Sequence, residues 1–425
     1  MINLRVACSR LSAVLGAAAL ASTLSACGAG KTSAAASSPD AQWTLPAATS
    51  TVTPQGVWAA VAMGHLGDPL NTFWQLPSRR AGRATWTNQV EATATATNGG
   101  LILASAGGTL LVGIRPSVDL TFSPLIYTRN GGLKWSAGLL DTALTPAAGS
   151  LAVRATGTAS TLTASALTSD AATSTKGGDV KVESDKGSLS SWRTVGDLRS
   201  LDASTANRGC GATSLTAVGY SGATLVVGAA CSQAGSNGLF TVGPGGWRSA
   251  GPSKSVSAGS TVTVLAAASE ADSRAAAGSQ SASAAVAAPE AFLLGLAGPA
   301  GEPPRLVVAS SPDGANWQVS PAITVTSTTA VVSFGPAPAG GLFVLTRGPR
   351  NALTPYVTDG PSFAWRQLPS APPGTATLAE GHDGTLEALS VNDTVLSFST
   401  FEPAEDEWVR SQTMHVNIEF GSSNP

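Results

Sequence analysis

The sequence predicts an all-β chain folded as a β-propeller, with seven blades of four-stranded antiparallel sheet. Trp86, Trp135, Trp192, Trp247, Trp317, Trp365 and Trp408 recur at intervals of 49, 57, 55, 70, 48 and 43 residues, each after a strand-like run and a turn. A period near fifty residues is the mark of a propeller or array. Between the tryptophans lie short β-branched or apolar runs that end near glycine or proline, at 101–104, 109–114, 223–227, 330–334 and 341–345. No stretch after the N-terminus sustains a 3.6-residue period. The chain has 425 residues, with 47 glycines, 26 prolines and 12% charged side chains, which suits many tight turns and small inward side chains.

The N-terminus comes first in order. Arg5 and Arg10 give a positive start, residues 11–24 are apolar, and Leu24-Ser25-Ala26-Cys27 forms a lipobox. Those fourteen apolar residues span about 21 Å as a helix, short of the roughly 30 Å hydrocarbon core. Residues 1–26 therefore read as a lipoprotein export signal, not a retained span, and Cys27 as the acylated residue. The expected location is the outer face of a bacterial cell membrane, held there by the N-terminal lipid. Residues 27–55, rich in Ala, Ser, Thr, Gly and Pro, are expected to be a flexible tether. Residues 56–425 then form the propeller domain, with an Ala/Ser-rich insertion at 266–289.

Charge and cysteine usage narrow the partners. The formal charge of −2 becomes −4 once Arg5 and Arg10 leave with the signal, which gives nucleic acid nothing to bind. Of the four cysteines, Cys8 leaves with the signal and Cys27 is taken by lipid. Segments 214–220 and 223–229 read as a hairpin turning at Ser221-Gly222, which sets residue 212 opposite Cys231 and Cys210 two positions away. In an oxidising compartment that register predicts a Cys210–Cys231 disulfide.

Two of the repeats explain why tryptophan recurs. Residues 125–135 run through an apolar strand into Thr128-Arg129-Asn130-Gly131-Gly132-Leu133-Lys134-Trp135. Residues 305–317 end in Ser311-Pro312-Asp313-Gly314-Ala315-Asn316-Trp317. The hydroxyl and acid or amide side chains are suited to bonding turn amides, and Gly132 and Gly314 to accepting a positive φ. Both segments resemble the Asp-box of sialidase-like β-propellers, Ser/Thr-x-Asp-x-Gly-x-x-Trp. Asn130 stands for the acid in the first, and the second is one residue shorter. The resemblance implies a structural role for Thr128, Asn130, Gly132, Trp135, Ser311, Asp313, Gly314 and Trp317, on hairpins between outer strands.

Chemistry is thinly represented. A sialidase-like enzyme would need an arginine cluster, a tyrosine activated by a glutamate, and an aspartate acid. The only tyrosines are Tyr127, Tyr220 and Tyr356, which the sequence sets on outer strands or hairpin turns. Asp119, Asp141, Glu290, Asp383 and Glu387 are acids that glycoside hydrolysis could use, but sequence alone pairs none of them. His65, His382 and His415 are too scattered for a metal motif, and Gly381-His382-Asp383-Gly384 reads as a turn. No catalytic residue, metal or cofactor is therefore assigned. The expectation is a lipid-anchored, non-enzymatic propeller that binds a protein, peptide or glycan; the alternative is a sialidase-like glycoside hydrolase. Three channel-facing arginines beside a tyrosine would mark the enzyme, and a channel lined by Ser, Thr and Ala the binding protein. The first repeat, 57–90, is a strand short and residues 415–420 alternate polar with apolar, so the termini are expected to share a blade.

Overall fold

The computed structural model describes residues 43–64, 72–89, 99–115, 117, 120–156, 161–169, 181–187, 189–252, 256, 259–268, 291–299, 301–358 and 363–416. The export signal, Cys27, His65, Asp119, Glu290 and most of the 266–289 insertion lie outside them.

Each sheet is antiparallel and its main strands pair in chain order, as short apolar runs separated by tight turns require. The first contains β1 (Thr49–Thr53), β2 (Gly56–Gly64), β3 (Thr72–Gln75), β4 (Pro77–Arg80) and β5 (Thr87–Asn88), with β3 and β4 sharing β2. Next come β6 (Gly100–Ala106), β7 (Thr109–Arg115), β8 (Ser123–Thr128) and β9 (Ser136–Leu140). The third sheet holds β10 (Ala143–Leu144), β11 (Leu151–Thr156), β12 (Thr161–Ser169), β13 (Lys181–Lys186) and β14 (Arg193–Asp197). A nine-stranded sheet follows. It is two meanders joined by the single pair Ala230–Thr263: β15 (Ala212–Ser221), β16 (Thr224–Cys231), β17 (Leu239–Gly243) and β18 (Gly246–Ser249), then β19 (Thr261–Ala268), β20 (Ala291–Ala297), β21 (Arg305–Ser310), β22 (Gln318–Val319) and β23 (Ile323–Thr324). The last sheets are β24 (Ala330–Ala337), β25 (Gly341–Arg347), β26 (Leu353–Thr358) and β27 (Trp365–Gln367), and β28 (Thr375–Glu380), β29 (Leu386–Asn392), β30 (Val395–Glu402) and β31 (Glu407–His415). An α-helix, α1 (Leu198–Asp202), leads from β14 toward β15 and is capped by Asp197 through the Ser200 amide.

The first strands pack side by side in chain order, β1, β6, β11, β15, β19, β24 and β28, and β28 returns to β1. That cyclic order makes the fold a β-propeller. Hydroxyls knit the inner strands. Thr51 Oγ1 lies 2.5 Å from Ser105 Oγ, Ser333 Oγ 2.6 Å from Thr377 Oγ1, and Ser50 Oγ donates to the Leu378 carbonyl at 2.7 Å. Apolar faces fill the gaps between sheets. Val52, Val57, Val61 and Met63 of the first sheet share a core with Leu389, Leu396 and Phe398 of the last.

All seven repeating tryptophans open an outer strand: Trp86 before β5, Trp135 before β9, Trp192 before β14, Trp247 within β18, Trp317 before β22, Trp365 at the start of β27 and Trp408 within β31. There each covers the edge of a sandwich between sheets. Trp135 meets Trp58 edge-on at 5.9 Å, Trp247 meets Phe240 at 6.4 Å, and Trp408 meets Phe401 at 5.2 Å.

Three boundaries differ from the sequence reading. The expected tether is ordered from Trp43. Residues 49–53 are β1, the strand the first repeat lacked, so the division at 55/56 falls inside a hairpin. Among the described residues the two ends share no sheet, since β1 completes the first and β31 pairs with β30 in the last; residues 417–420 of the alternating run lie outside the described residues. Ala266, Ala267 and Ala268 belong to β19 and pair with Leu293, Phe292 and Ala291, so the insertion starts later than 266. Small side chains fit a buried strand as well as a loop, and composition does not separate the two.

Upstream of β1 the chain crosses one end of the ring. Trp43 lies on Gly295 of β20, where a Cβ would stand 2.5 Å from the indole; the Ala148 amide donates to the Pro46 carbonyl at 2.8 Å; and Ala48 bridges Ser333 in parallel. Cys210 and Cys231 are bonded, with Cα atoms 4.7 Å apart and Ala212 opposite Cys231.

Trp86 is 1% exposed, whereas Trp135 and Trp317 are half-buried. Trp86→Ala should therefore cost about 3–5 kcal/mol, with Trp135→Ala and Trp317→Ala costing less, as read by denaturant unfolding. Reducing the disulfide, which spans a separation of 21 residues, should remove roughly 3 kcal/mol, measurable as a lower unfolding midpoint in dithiothreitol.

Candidate functional site at the seam between first and last sheets

The end of the ring opposite residues 43–48 carries the β1–β2 turn and the end of β28. Here β4 faces the last sheet across the seam. Gly56 adopts φ +154° and pairs with Arg80; a Cβ on it would meet the Arg79 carbonyl at 2.2 Å. Only glycine allows β4 to approach so closely and turn Arg79 into the seam.

The side chains of Arg79 and Glu387 are both buried, with Nε and Oε2 3.6 Å apart, an ion-pair contact too long for a hydrogen bond. The guanidinium donates to the Glu380 carbonyl at 2.5 Å and the Arg83 carbonyl at 3.2 Å, and lies 5.6 Å from the Trp86 ring centroid. Glu387 Oε2 accepts from the Trp86 indole at 2.8 Å, and Thr400 Oγ1 donates to Oε1 at 3.5 Å. Gln412 accepts from the Trp86 amide at 2.8 Å and donates to its carbonyl at 2.9 Å. Burial raises the Glu387 carboxyl, opposed by Trp86, Arg79 and Thr400. The Glu380 carboxyl is pushed up to about 7 by burial, against the opposing pull of Arg79. Burial lowers Arg79 from its ordinary value, with Glu387, Glu380 and Asp383 opposing.

Two cavities adjoin this cluster. One, about 210 Å³, is lined by Val52, Gly56, Arg79, Arg80, Glu380 and Asp383 among others. The other, about 470 Å³, holds Thr385, Glu387, Thr400, Glu402, Ser411 and Gln412. His382 and Asp383 border both. They stand on the 3₁₀ turn His382–Gly384, with Asp383 at φ 62° and its carboxylate 2.6 Å from His382 Nδ1, in keeping with the turn read from the sequence.

Of the acids considered from sequence, the structure brings Asp383 and Glu387 to this seam, while Asp141 is exposed elsewhere. Sequence reasoning missed Arg79 and Glu380. Their signal was slight: an arginine inside a short strand, and an acid closing the apolar run of β28. Tyr127 and Tyr356 lie on third strands, Tyr127 under Arg129 and Tyr356 against an apolar core that raises its phenol by burial. Tyr220 adjoins the hairpin turn as expected, but it stands on an innermost strand, because β15 is the first of its meander and packs on β11 and β19. Its hydroxyl lies 2.8 Å from Ser165 Oγ and its ring under Arg154. Among the described residues no group of three or more His, Cys, Asp or Glu side chains could hold a metal ion.

The box-like turns bond themselves. Ser311 Oγ accepts from the Gly314 amide at 2.9 Å, and Asp313 Oδ1 from Ala315 and Asn316 at 2.8 and 2.7 Å. These donors, Asn316 first, hold the Asp313 carboxyl well below the usual carboxylate range. Thr128 and Asn130 repeat the pattern toward the Gly132 and Lys134 amides at 3.0 and 2.9 Å, and Gly132 and Gly314 have φ of +83° and +75°. Trp317 Nε1 closes its turn on the Gly314 carbonyl at 3.0 Å.

No protein-family model matches the chain, and no curated protein does. Among solved structures it is similar to the fungal lectin of Aleuria aurantia, a six-bladed β-propeller that recognises fucose, with 14% identity over 77% of this chain and 95% of the lectin and a TM-score of 0.41. It is similar to a GH74 xyloglucanase from Xanthomonas campestris, with 14% identity over 87% of this chain and 54% of that enzyme and a TM-score of 0.49. A putative 6-phosphogluconolactonase from Bacteroides uniformis gives 10% identity, coverages of 85% and 97%, and a TM-score of 0.43.

Glu380 titrates near 7 when folded and at its ordinary 4.5 when unfolded. Across that window the folded state binds more protons, so stability should fall as pH rises from 4.5 to 7, by up to about 1.4 kcal/mol per pH unit, and then level off. Denaturation of Glu380→Gln over the same range should show a flatter profile. An unchanged slope would mean another group is responsible.

Proposed function

We propose that this chain is a lipid-anchored, extracytoplasmic propeller of seven blades that acts as a non-enzymatic binding or scaffold protein, its ligand a protein, peptide or glycan. The observation that carries the reading is the chemistry of the inner strands. They present Ser50, Thr51, Ser105, Ser333 and Thr377 among alanines, with hydroxyls committed to neighbouring strands. An arginine and a tyrosine do meet there, Arg154 and Tyr220, but that hydroxyl pairs with Ser165. A blade count of seven is supported by the seven tryptophans, each opening an outer strand, and anchoring by Leu24-Ser25-Ala26-Cys27 in the sequence.

One observation favours the hydrolase alternative: a glutamic acid near 7 in a cavity is what general-acid catalysis needs. Glycoside hydrolysis, however, requires two carboxyls facing one substrate. Glu380 shares its cavity with Asp383, but that carboxylate is exposed and held by His382 Nδ1 at 2.6 Å, while Glu387 lines the other cavity and already accepts from Trp86 and Thr400. The binding reading is therefore stronger.

Incubating the full chain with fluorogenic sialosides and aryl glycosides should give no turnover. A chain beginning at residue 56 would lack β1 and is unsuitable. Turnover that disappears in Tyr220→Phe or Glu380→Gln would establish the hydrolase instead. Cys27→Ala should release the protein from membranes or leave its signal uncleaved; a cleaved variant that stays membrane-bound would rule out lipid anchoring.

A further inference from the structure

The buried charges at the seam do not balance. Arg79 faces two buried carboxyls, Glu380 and Glu387, which are 4% and 3% exposed. Its ion pair is with Glu387, and toward Glu380 it donates to the backbone carbonyl. Arg80 is exposed and makes no ion pair among the described residues. The Glu380 carboxyl accepts no hydrogen bond there; Arg79 acts on it only through its charge. With both acids ionised the buried groups are one cation, Arg79, and two anions, with Arg80 at the exposed side of the same cavity, so the buried set by itself is one positive charge short. A carboxyl so placed either retains a proton or draws a counter-ion from outside.

Glu380 lines the 210 Å³ cavity. The approach to it is acidic as well, since the adjoining 470 Å³ hollow contains Asp383, Glu387 and Glu402 and neither lysine nor arginine. The β30–β31 turn beside Glu402 adds Glu405, Asp406 and Glu407. We propose that the seam cavity binds an alkylammonium group, carried by a free diamine or by a lysine side chain of a peptide, which supplies the missing charge at Glu380. An ammonium offers three donors and needs a single carboxylate with neighbouring acceptors, so it suits a site without three clustered metal ligands. This deepens the binding reading above and rests on it.

The groups facing Glu380 are Arg79 and Arg80 from β4, Glu387 from β29, and His382 and Asp383 from the turn. Because Glu380 loses its proton near 7, amine binding strengthens as pH rises, by roughly tenfold between about pH 6 and about pH 8.

The test is calorimetric titration of the full chain with 1,4-diaminobutane, with trilysine, and with 1,4-butanediol as the uncharged control, at both pH values and constant ionic strength. Saturable binding of an amine, tighter at the higher pH and weakened about tenfold or more in Glu380→Gln, is the expected result. Tighter binding of trilysine would assign the ammonium to a peptide, and tighter binding of the diamine to a free amine. The inference is overturned if neither amine binds saturably, if the diol binds as well as the diamine, or if Glu380→Gln keeps full affinity. Should that variant not fold, the native protein decides: affinity independent of pH overturns the proposal. Loss of amine binding without glycoside turnover leaves the non-enzymatic reading standing, whereas turnover overturns that reading whatever the amines do.

Discussion

The fold depends on bringing its first and last sheets together. A ring of sheets hides the apolar faces of every member only when the two ends meet, and here the residues that meet are some 301 positions apart in sequence. Trp86 joins them in three ways: its ring stacks on Phe398 at 5.0 Å, its indole N–H reaches Glu387, and its backbone is gripped on both sides by Gln412. The apolar contact supplies the favourable free energy. The polar contacts fix the register, because a one-residue slip of β4 or β29 would strand Arg79 or Glu387 in the interior without a partner.

The site is a by-product of that closure. The seam between the first two sheets is filled by tryptophan, leucine, valine, isoleucine and small hydroxyl side chains. The closing seam instead carries a guanidinium and two carboxyls, and the cavities open beside them. Burial raises both acids, and the charge of Arg79 opposes it at each. At the other end of the inner strands the chain enters across the ring, where Trp43, Pro46 and Ala48 touch β20, the β10–β11 connection and β24 in turn. One end of the ring is thus braced by the chain's own backbone, while the polar cavities lie at the opposite end.

Outer turns obey a more local logic. In each box-like turn a short polar side chain serves the amides of the next few residues, and a glycine takes the left-handed conformation. Their polar atoms are thereby occupied within the turn, which leaves the following tryptophan free to pack on the neighbouring aromatic. That division of labour accounts for the survival of strand, turn and tryptophan in repeats that keep no acid at all, such as the one leading to Trp247.

The sequence by itself determined the class of fold, the repeat and the outer turns, because these depend on interactions within a few tens of residues: alternating strands, positive-φ glycines and the tryptophan that opens each outer strand. The expected pairing of Ala212 with Cys231 also holds, although the hairpin turns one residue later and two register shifts restore the alignment. Tertiary structure decided the rest. The strand before Gly56 was hidden in a composition that suits a tether equally well, and only its pairing with β2 and its contacts with β24 and β28 make it the innermost strand of the ring. The candidate site was equally illegible. Arg79 lies in one sheet and Glu380 and Glu387 in another, and nothing local to any of them records that closing the ring would bury all three together.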